Sequence, residues 1–288
     1  MILVAGGTGS LGGKIAGGLL RGGAAVRVLA RPDSAAGALR EAGAEIVPGD
    51  LKEPASLARA CVGVEAVVTT ASASKRGDDS PQNVDLSGSR NLVDAAREAG
   101  VRHFVFVSTI GASPESQLPL FRAKALAEQA LRASGLEFTI LQPAPLMDVW
   151  FPLLIEAPLL TGQPVTLVGE ARGRHSFVAE QDVAAFARAA LSHPAARNAT
   201  IALGGPAALT FREVVRAYEA AAGREVTVRS VAPGDSIPGV PDAVSGIAAA
   251  LEAFDTVVPM AETAAAFGVT LTSALDFARA RLTPVAAH

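Results

Sequence analysis

Six short apolar runs alternate with helical patterns through the first half of the chain, and that alternation limits the possible folds more than any other feature. The runs are Ile2–Ala5, Ala25–Ala30, Glu45–Val47, Ala66–Thr70, His103–Val107 and Phe138–Leu141, with helical stretches near 11–22, 54–61, 84–99 and 121–134. The runs are continuously apolar and do not alternate in polarity, as expected of strands covered by helices on both faces. Strand–helix repetition at this spacing requires right-handed crossovers, so the predicted fold is α/β, a doubly wound parallel sheet. Gly100 and Gly135 stand just past helical stretches, where a left-handed residue lets the chain leave the helix.

Beyond Leu141 the pattern changes. Gln142-Pro143-Ala144-Pro145 interrupts it, and Met147–Leu154 is apolar and carries Trp150, the only tryptophan. The expected division is a core of residues 1–146, to which about 175–205 return, and a smaller C-terminal lobe made mainly of 147–288. Within these, Phe177–Leu191 reads as a helix preceded by a short strand and Thr200–Leu203 as a further strand of the sheet. Helices are expected near 210–222 and 241–253.

Composition narrows the function classes. A chain of 288 residues with 50% hydrophobic and 18% charged residues is globular and long enough for a sizeable core. A net charge of -3 and 5% aromatic residues argue against nucleic acid or an acidic membrane surface as partner. Cys61 is the only cysteine, which excludes an internal disulfide and a cysteine-based zinc cluster. No histidine–carboxylate spacing suggests a metal. The chain opens on an apolar strand without a basic leader or a long apolar segment, so neither a signal peptide nor a membrane span is expected, and a cytoplasmic protein is.

Gly7-Thr8-Gly9-Ser10-Leu11-Gly12 matches G-x-G-x-x-G, and Gly6, Gly9 and Gly12 match the wider G-x-x-G-x-x-G spacing. The motif follows a strand and opens a helix, the context in which glycines let the backbone approach a pyrophosphate resting on the helix amino end. A nucleoside-triphosphate loop is excluded: Gly13-Lys14 is followed by Ile15, and its leading glycine position is Thr8. The ligand is therefore a dinucleotide. About 20 residues on, an acidic side chain would hold a ribose 2′-hydroxyl and an arginine a 2′-phosphate. Arg31 ends the second strand there, which favours NADP(H). Asp33 lies nearby and keeps NAD(H) open, while Arg27 is expected to point to solvent.

The opening Val4–Gly12, the Gly49-Asp50-Leu51 step, the Asn83–Ala96 helix and the Phe104–Thr109 strand resemble the short-chain dehydrogenase/reductase superfamily, within it the atypical NmrA-like branch of quinone and dye reductases and cofactor-sensing regulators. The resemblance runs on through Phe138–Pro143, Phe177–Ala184 and Gly204–Arg224. It implies a Rossmann core with a substrate-side lobe. By the same resemblance Asp50 and Leu51 lie at the adenine, Thr70, Ala71 and Ser72 along the cofactor, and Pro143 beside it. The superfamily's tyrosine four residues before a lysine is absent: Lys124 matches the lysine, but Leu120 stands where the tyrosine would, and Tyr218, the only tyrosine, is followed four residues later by Ala222.

What remains for chemistry is Lys124, with Ser108 and Thr109 near the usual serine position. Lys124 would bind the nicotinamide ribose and stabilise charge on a reduced substrate, or it is a solvated lysine paired with Glu128. Ser108 and Thr109 equally suit a plain strand end. On these readings, Lys124→Ala lowers turnover more than it disturbs folding. Phe121, Met147, Trp150 and Phe151 are candidates for an apolar substrate pocket, with core packing as the competing reading. His175 is a lone histidine, more often structural than catalytic, and His103, His193 and His288 look peripheral. Two functions follow: an NADPH-dependent reductase of a small apolar conjugated acceptor, or a non-catalytic NADP(H)-binding redox sensor acting through a protein partner.

Overall fold

The computed structural model describes residues 1–73 and 77–283. The alternation becomes β1 (Ile2–Ala5), α1 (Ser10–Arg21), β2 (Val26–Ala30), α2 (Gly37–Glu41), β3 (Glu45–Pro48), α3 (Pro54–Cys61), β4 (Ala66–Thr69), α4 (Ser89–Glu98), β5 (His103–Val107), α5 (Pro119–Ala133) and β6 (Glu137–Pro143). There follow α6 (Met147–Phe151), α7 (Ala157–Thr161), β7 (Val165–Val168), α8 (Glu180–Ala190) and β8 (Ala199–Leu203). The last elements are α9 (Phe211–Ala222), β9 (Val228–Val231), α10 (Asp242–Ala253), α11 (Ala261–Phe267) and α12 (Ala274–Leu282). The chain divides into two compact units, 1–143 with 183–202, and 144–182 with the chain from 203 onward.

The first unit carries a seven-stranded sheet in the order β3-β2-β1-β4-β5-β6-β8. The pairs from β3 to β6 are parallel, and Ala5 at the end of β1 is level with Leu29 on one side and Thr69 on the other. Leu3, Val67 and Phe104 are fully buried, as continuous apolar strands require when both faces are covered. Each such side chain contributes roughly 1.5–3 kcal/mol by leaving water. The chain winds outward from β1 to β3, then crosses back to β4. The order therefore reverses between β1 and β4, and such a reversal opens a crevice at the carboxyl ends of the strands. Gly100 and Gly135 hold the positive φ expected of them, 72° and 81°.

Two of the expected elements depart from the sequence reading. The helix expected from 84 begins at Pro81, and its first part, Pro81–Gly88, is π-helical. Ser80 caps it: its hydroxyl accepts the Asn83 N–H while the Asn83 carboxamide accepts the Ser80 N–H. The short strand expected before α8 is reduced to single bridges, Leu146 to Val178 and His175 to Leu209 and Thr256.

The second unit has its own core, in which the Phe151 ring meets Phe177, Tyr218 and Phe277 edge-on at centroid distances of 5.1, 6.1 and 5.6 Å. Its parallel pair β7 and β9 was not expected from the sequence. Glu156, buried in this unit, accepts the Tyr218 hydroxyl at 2.5 Å and two Arg281 donors at 2.9–3.2 Å, so one carboxylate joins α9 to α12.

Candidate functional site

The glycine turn is shaped by close approach. Gly6 has φ +81°, and a Cβ there would lie 2.8 Å from the Ala71 nitrogen. A Cβ on Gly12 would stand 2.1 Å from the Gly6 carbonyl oxygen, inside any allowed contact. Both positions admit only hydrogen because β1, α1 and the residues after β4 meet there. Gly9 differs: a Cβ would come only to 3.3 Å of the Gly6 oxygen, and its backbone lines a cleft. α1 starts directly after Gly9 with no side chain capping it and no acidic residue in its first turn. An uncapped positive helix end behind a side-chain-free turn fits a pyrophosphate.

The cleft has a volume of about 340 Å3 and lies wholly within the first unit. Gly6, Thr8 and Gly9 form one part of its lining, Thr70, Ala71 and Ser72 a second, and Arg31, Asp50 and Leu51 a third, so the ends of four strands converge on it. Gly7, Ser10, Leu11 and Gly12 build the turn and the start of α1 behind that lining. Pro143 lies two strands from β4, where its carbonyl accepts the Ile110 N–H at 3.0 Å. The Asp50 carboxylate accepts the Lys52 N–H at 2.9 Å, so it braces its own loop while facing the cleft.

Arg31 reaches the cleft with its charge already met. Its Nη1 donates to Asp79 Oδ2 at 2.8 Å, and Lys52 Nζ donates to Asp79 Oδ1 at 3.0 Å and to Asp78 at 2.6 Å. The hydrogen bonds to Asp78 and then Asp79 push the Lys52 ammonium above its ordinary range. Neither Asp79 nor Lys52 was read from the sequence, since a loop acid and a loop lysine carry no periodic signal. Arg27 corrects its expectation: it is not in solvent but donates to the Ala60 and Val62 carbonyls at 2.8 and 2.7 Å and pairs with Glu45.

Lys124 is neither solvated nor paired with Glu128. Its side chain is 6% exposed, and its ammonium lies 3.1 Å from Asp85, donates to the Ala71 and Val107 carbonyls at 3.2 and 3.4 Å, and sits 5.1 Å from the Phe106 ring centre. Asp85, fully buried, also accepts the Ser72 hydroxyl at 2.7 Å and the Ala73 N–H at 2.9 Å. One ion pair thus ties α5 and the π-helical stretch to the segment after β4 that lines the cleft. Asp85 was missed because, within a helical pattern, it looks like any exposed acid. Glu128 accepts instead from Ser108, Gln142 and Arg132, so the Ser108 hydroxyl is committed to a buried carboxylate. The Thr109 hydroxyl donates to the Ile110 carbonyl at 3.3 Å.

Other candidates fall to structural roles. Met147, Trp150 and Phe151 are core residues of the second unit, exposed by 1%, 7% and 0%. Phe121 lies at the start of α5 in the first unit, half-buried near Gly111. Both ring nitrogens of His175 are engaged, by Thr256 at 2.7 Å and the Leu251 carbonyl at 2.9 Å, and burial lowers its pKa. His103 is not peripheral: it is buried against Thr139 at 2.9 Å, and burial pushes its pKa down to about 4. Thr139 gives its proton to the Ala196 carbonyl, so His103 donates from Nε2 and is neutral. His193 caps a short 3-10 turn, and His288 lies outside the described residues. Tyr218 is fully buried in the second unit, and burial together with Glu156 raises its phenol far above the ordinary range. Among the described residues no helix is long and apolar enough to cross a membrane.

Residues 6–194 match the family described as NAD(P)H-binding, and the chain belongs to that family. Its cofactor is accordingly a nicotinamide dinucleotide, and the predicted resemblance to atypical short-chain reductases is met. An NAD(P)H azoreductase from Xenophilus azovorans is 33% identical, over 78% of this chain and 75% of its own. The photosystem II assembly factor Ycf39 of Trieres chinensis is 31% identical, over 80% and 72%. Among solved structures, the triphenylmethane reductase of a Citrobacter species with NADP(H) superposes with a TM-score of 0.82 at 25% identity, over 98% of this chain and 100% of that one. A quinone oxidoreductase from Escherichia coli shares the fold, with a TM-score of 0.81 at 21% identity, over 98% and 100%.

Proposed function

We propose that this protein is an NADPH-dependent oxidoreductase that reduces a small, apolar, conjugated acceptor such as a quinone, an enone or a dye. The observation that carries the reading is the cleft at the reversal of strand order, floored by Gly6 and Gly9 and ended by Arg31. In this reading Gly6–Gly12 hold the pyrophosphate, Asp50 and Leu51 the adenine, Arg31 the 2′-phosphate, and Thr70, Ala71 and Ser72 run along the remainder with Pro143 beyond them. When bound, the dihydronicotinamide supplies the hydride.

The chain's own residues position and exclude. Lys124 and Asp85 fix the Ser72–Ala73 segment and keep a positive charge beneath the end of the sheet, where charge on a reduced acceptor is stabilised. Ser108 is withdrawn to Glu128, and the only tyrosine lies in the core of the second unit, so neither of these two hydroxyls stands as a dedicated acid. A conjugated acceptor delocalises the charge it gains and takes its proton from water, whereas an isolated ketone most needs the missing acid. A cytoplasmic setting belongs to the same reading.

The relatives named for azo and triphenylmethane dyes support the acceptor class. The test is NADPH oxidation, followed by absorbance, across quinones, azo and triphenylmethane dyes, enones and simple ketones. Turnover confined to the conjugated acceptors is expected, and turnover of simple ketones alone contradicts the reading. The second reading, a cofactor-binding regulator that acts through a protein partner, draws on the assembly-factor relative at similar identity. It predicts no turnover with any acceptor and different affinities for the reduced and oxidised cofactor, since a ligand shifts a switch only through differential affinity.

A further inference from the structure

Asp79 pairs with Arg31, the residue proposed as the receiver of a 2′-phosphate. Among the described residues, its two oxygens are shared between Arg31 at 2.8 Å and Lys52 at 3.0 Å. The carboxylate is 2% exposed, while Arg31 and Lys52 keep 32% and 27%. A second cavity of about 420 Å3 shares Arg31, Gly49, Asp50 and Asp79 with the cleft and adds Lys52 and Arg59 to its lining. The buried carboxylate therefore stands between two spaces, at the point where guanidinium and ammonium converge.

A phosphate monoester presents more charge and one more oxygen than a carboxylate and suits the same pair of donors. An arginine already paired with a buried acid offers less to an incoming phosphate than its position suggests, because the two anions repel in a partly desolvated site. We propose that Asp79 is a built-in competitor for the 2′-phosphate: it gathers Arg31 and Lys52 into a two-cation site and yields both when a phosphorylated dinucleotide enters. Asp79 and Lys52 then set the preference between NADPH and NADH together with Arg31. The proposal rests on the reading that the adenosine end of the cofactor lies toward Arg31.

The test is calorimetric titration of wild type, Asp79→Asn, Lys52→Met and Arg31→Ala with NADPH and NADH, and with 2′-AMP and 5′-AMP as minimal probes. Asp79→Asn is expected to tighten NADPH and 2′-AMP by roughly tenfold and leave NADH and 5′-AMP within about twofold. Lys52→Met is expected to weaken the 2′-phosphorylated ligands by roughly tenfold with the others unchanged. Weaker NADPH binding by Asp79→Asn, or equal shifts for both dinucleotides, overturns the proposal. If Asp79→Asn does not fold, the more exposed Lys52→Met decides, and unchanged NADPH affinity there overturns the proposal alone. The underlying reading fails separately: wild type then binds no dinucleotide, or Arg31→Ala shifts NADPH and NADH equally.

Discussion

Lys124 shows how a side chain singled out for chemistry in the sequence also carries the fold once its partner is seen. Removing it leaves Asp85 fully buried without its counter-ion, a change that costs about 3–5 kcal/mol. Lys124→Ala is therefore expected to lower the unfolding midpoint strongly, the reverse of the expectation drawn from the sequence. Lys124→Met with Asp85→Asn should recover most of that loss, measured by denaturant titration; equal instability of single and double variants would dismiss the ion pair. Tyr218→Phe removes a hydroxyl bonded to Glu156, and a stability loss of about 1–3 kcal/mol is expected with an unchanged rate of NADPH oxidation. His103 titrates near 4 in the fold against 6.5 ordinarily. Between these values the unfolded chain binds a proton that the folded chain refuses, so stability falls as pH drops from about 6.5 toward 4, by up to about 3 kcal/mol for this residue. The slope that disappears in His103→Gln, read from denaturation curves at several pH values, measures it.

The β1–turn–α1 element divides its glycines between folding and binding. A Cβ on Gly12 meets backbone at 2.1 Å, whereas one on Gly9 reaches only 3.3 Å. Gly12→Ala should accordingly destabilise the fold by more than about 2 kcal/mol. Gly9→Ala should keep its unfolding midpoint and lose cofactor affinity, which thermal melts alongside titration would distinguish. This element was legible in the sequence because its chemistry is local: a strand, a turn that excludes side chains, and an amphipathic helix are contiguous. The strands through β6 were legible for the same reason, each a short run rich in apolar residues, although β2 carries Arg27 and β3 begins with Glu45. β9, Val228-Arg229-Ser230-Val231, was not, because its partner β7 lies far back in the chain, with α8, β8 and α9 between them, and polar residues stand within it. Asp79 and Asp85 were equally hidden: a buried acid is distinguished from an exposed one only by the distant cation it meets.

At the scale of the whole molecule, the first unit holds the cleft and the second an aromatic core, and the two have different claims on function. Residues once eligible for a substrate pocket, Met147, Trp150 and Phe151, are buried within the second unit, so their truncation should read as a stability loss of roughly 2–5 kcal/mol. The cleft carries the central claim, that a phosphorylated dinucleotide binds in the first unit through Arg31. Calorimetric titration of the purified protein with NADPH, NADP+, NADH and NAD+, repeated on Arg31→Ala, tests it most directly. Binding of both phosphorylated forms at least tenfold tighter than their counterparts, with that margin lost in Arg31→Ala while NADH affinity is kept, is the predicted result. Equal affinities for phosphorylated and unphosphorylated forms, or no binding to any of the four, would contradict it.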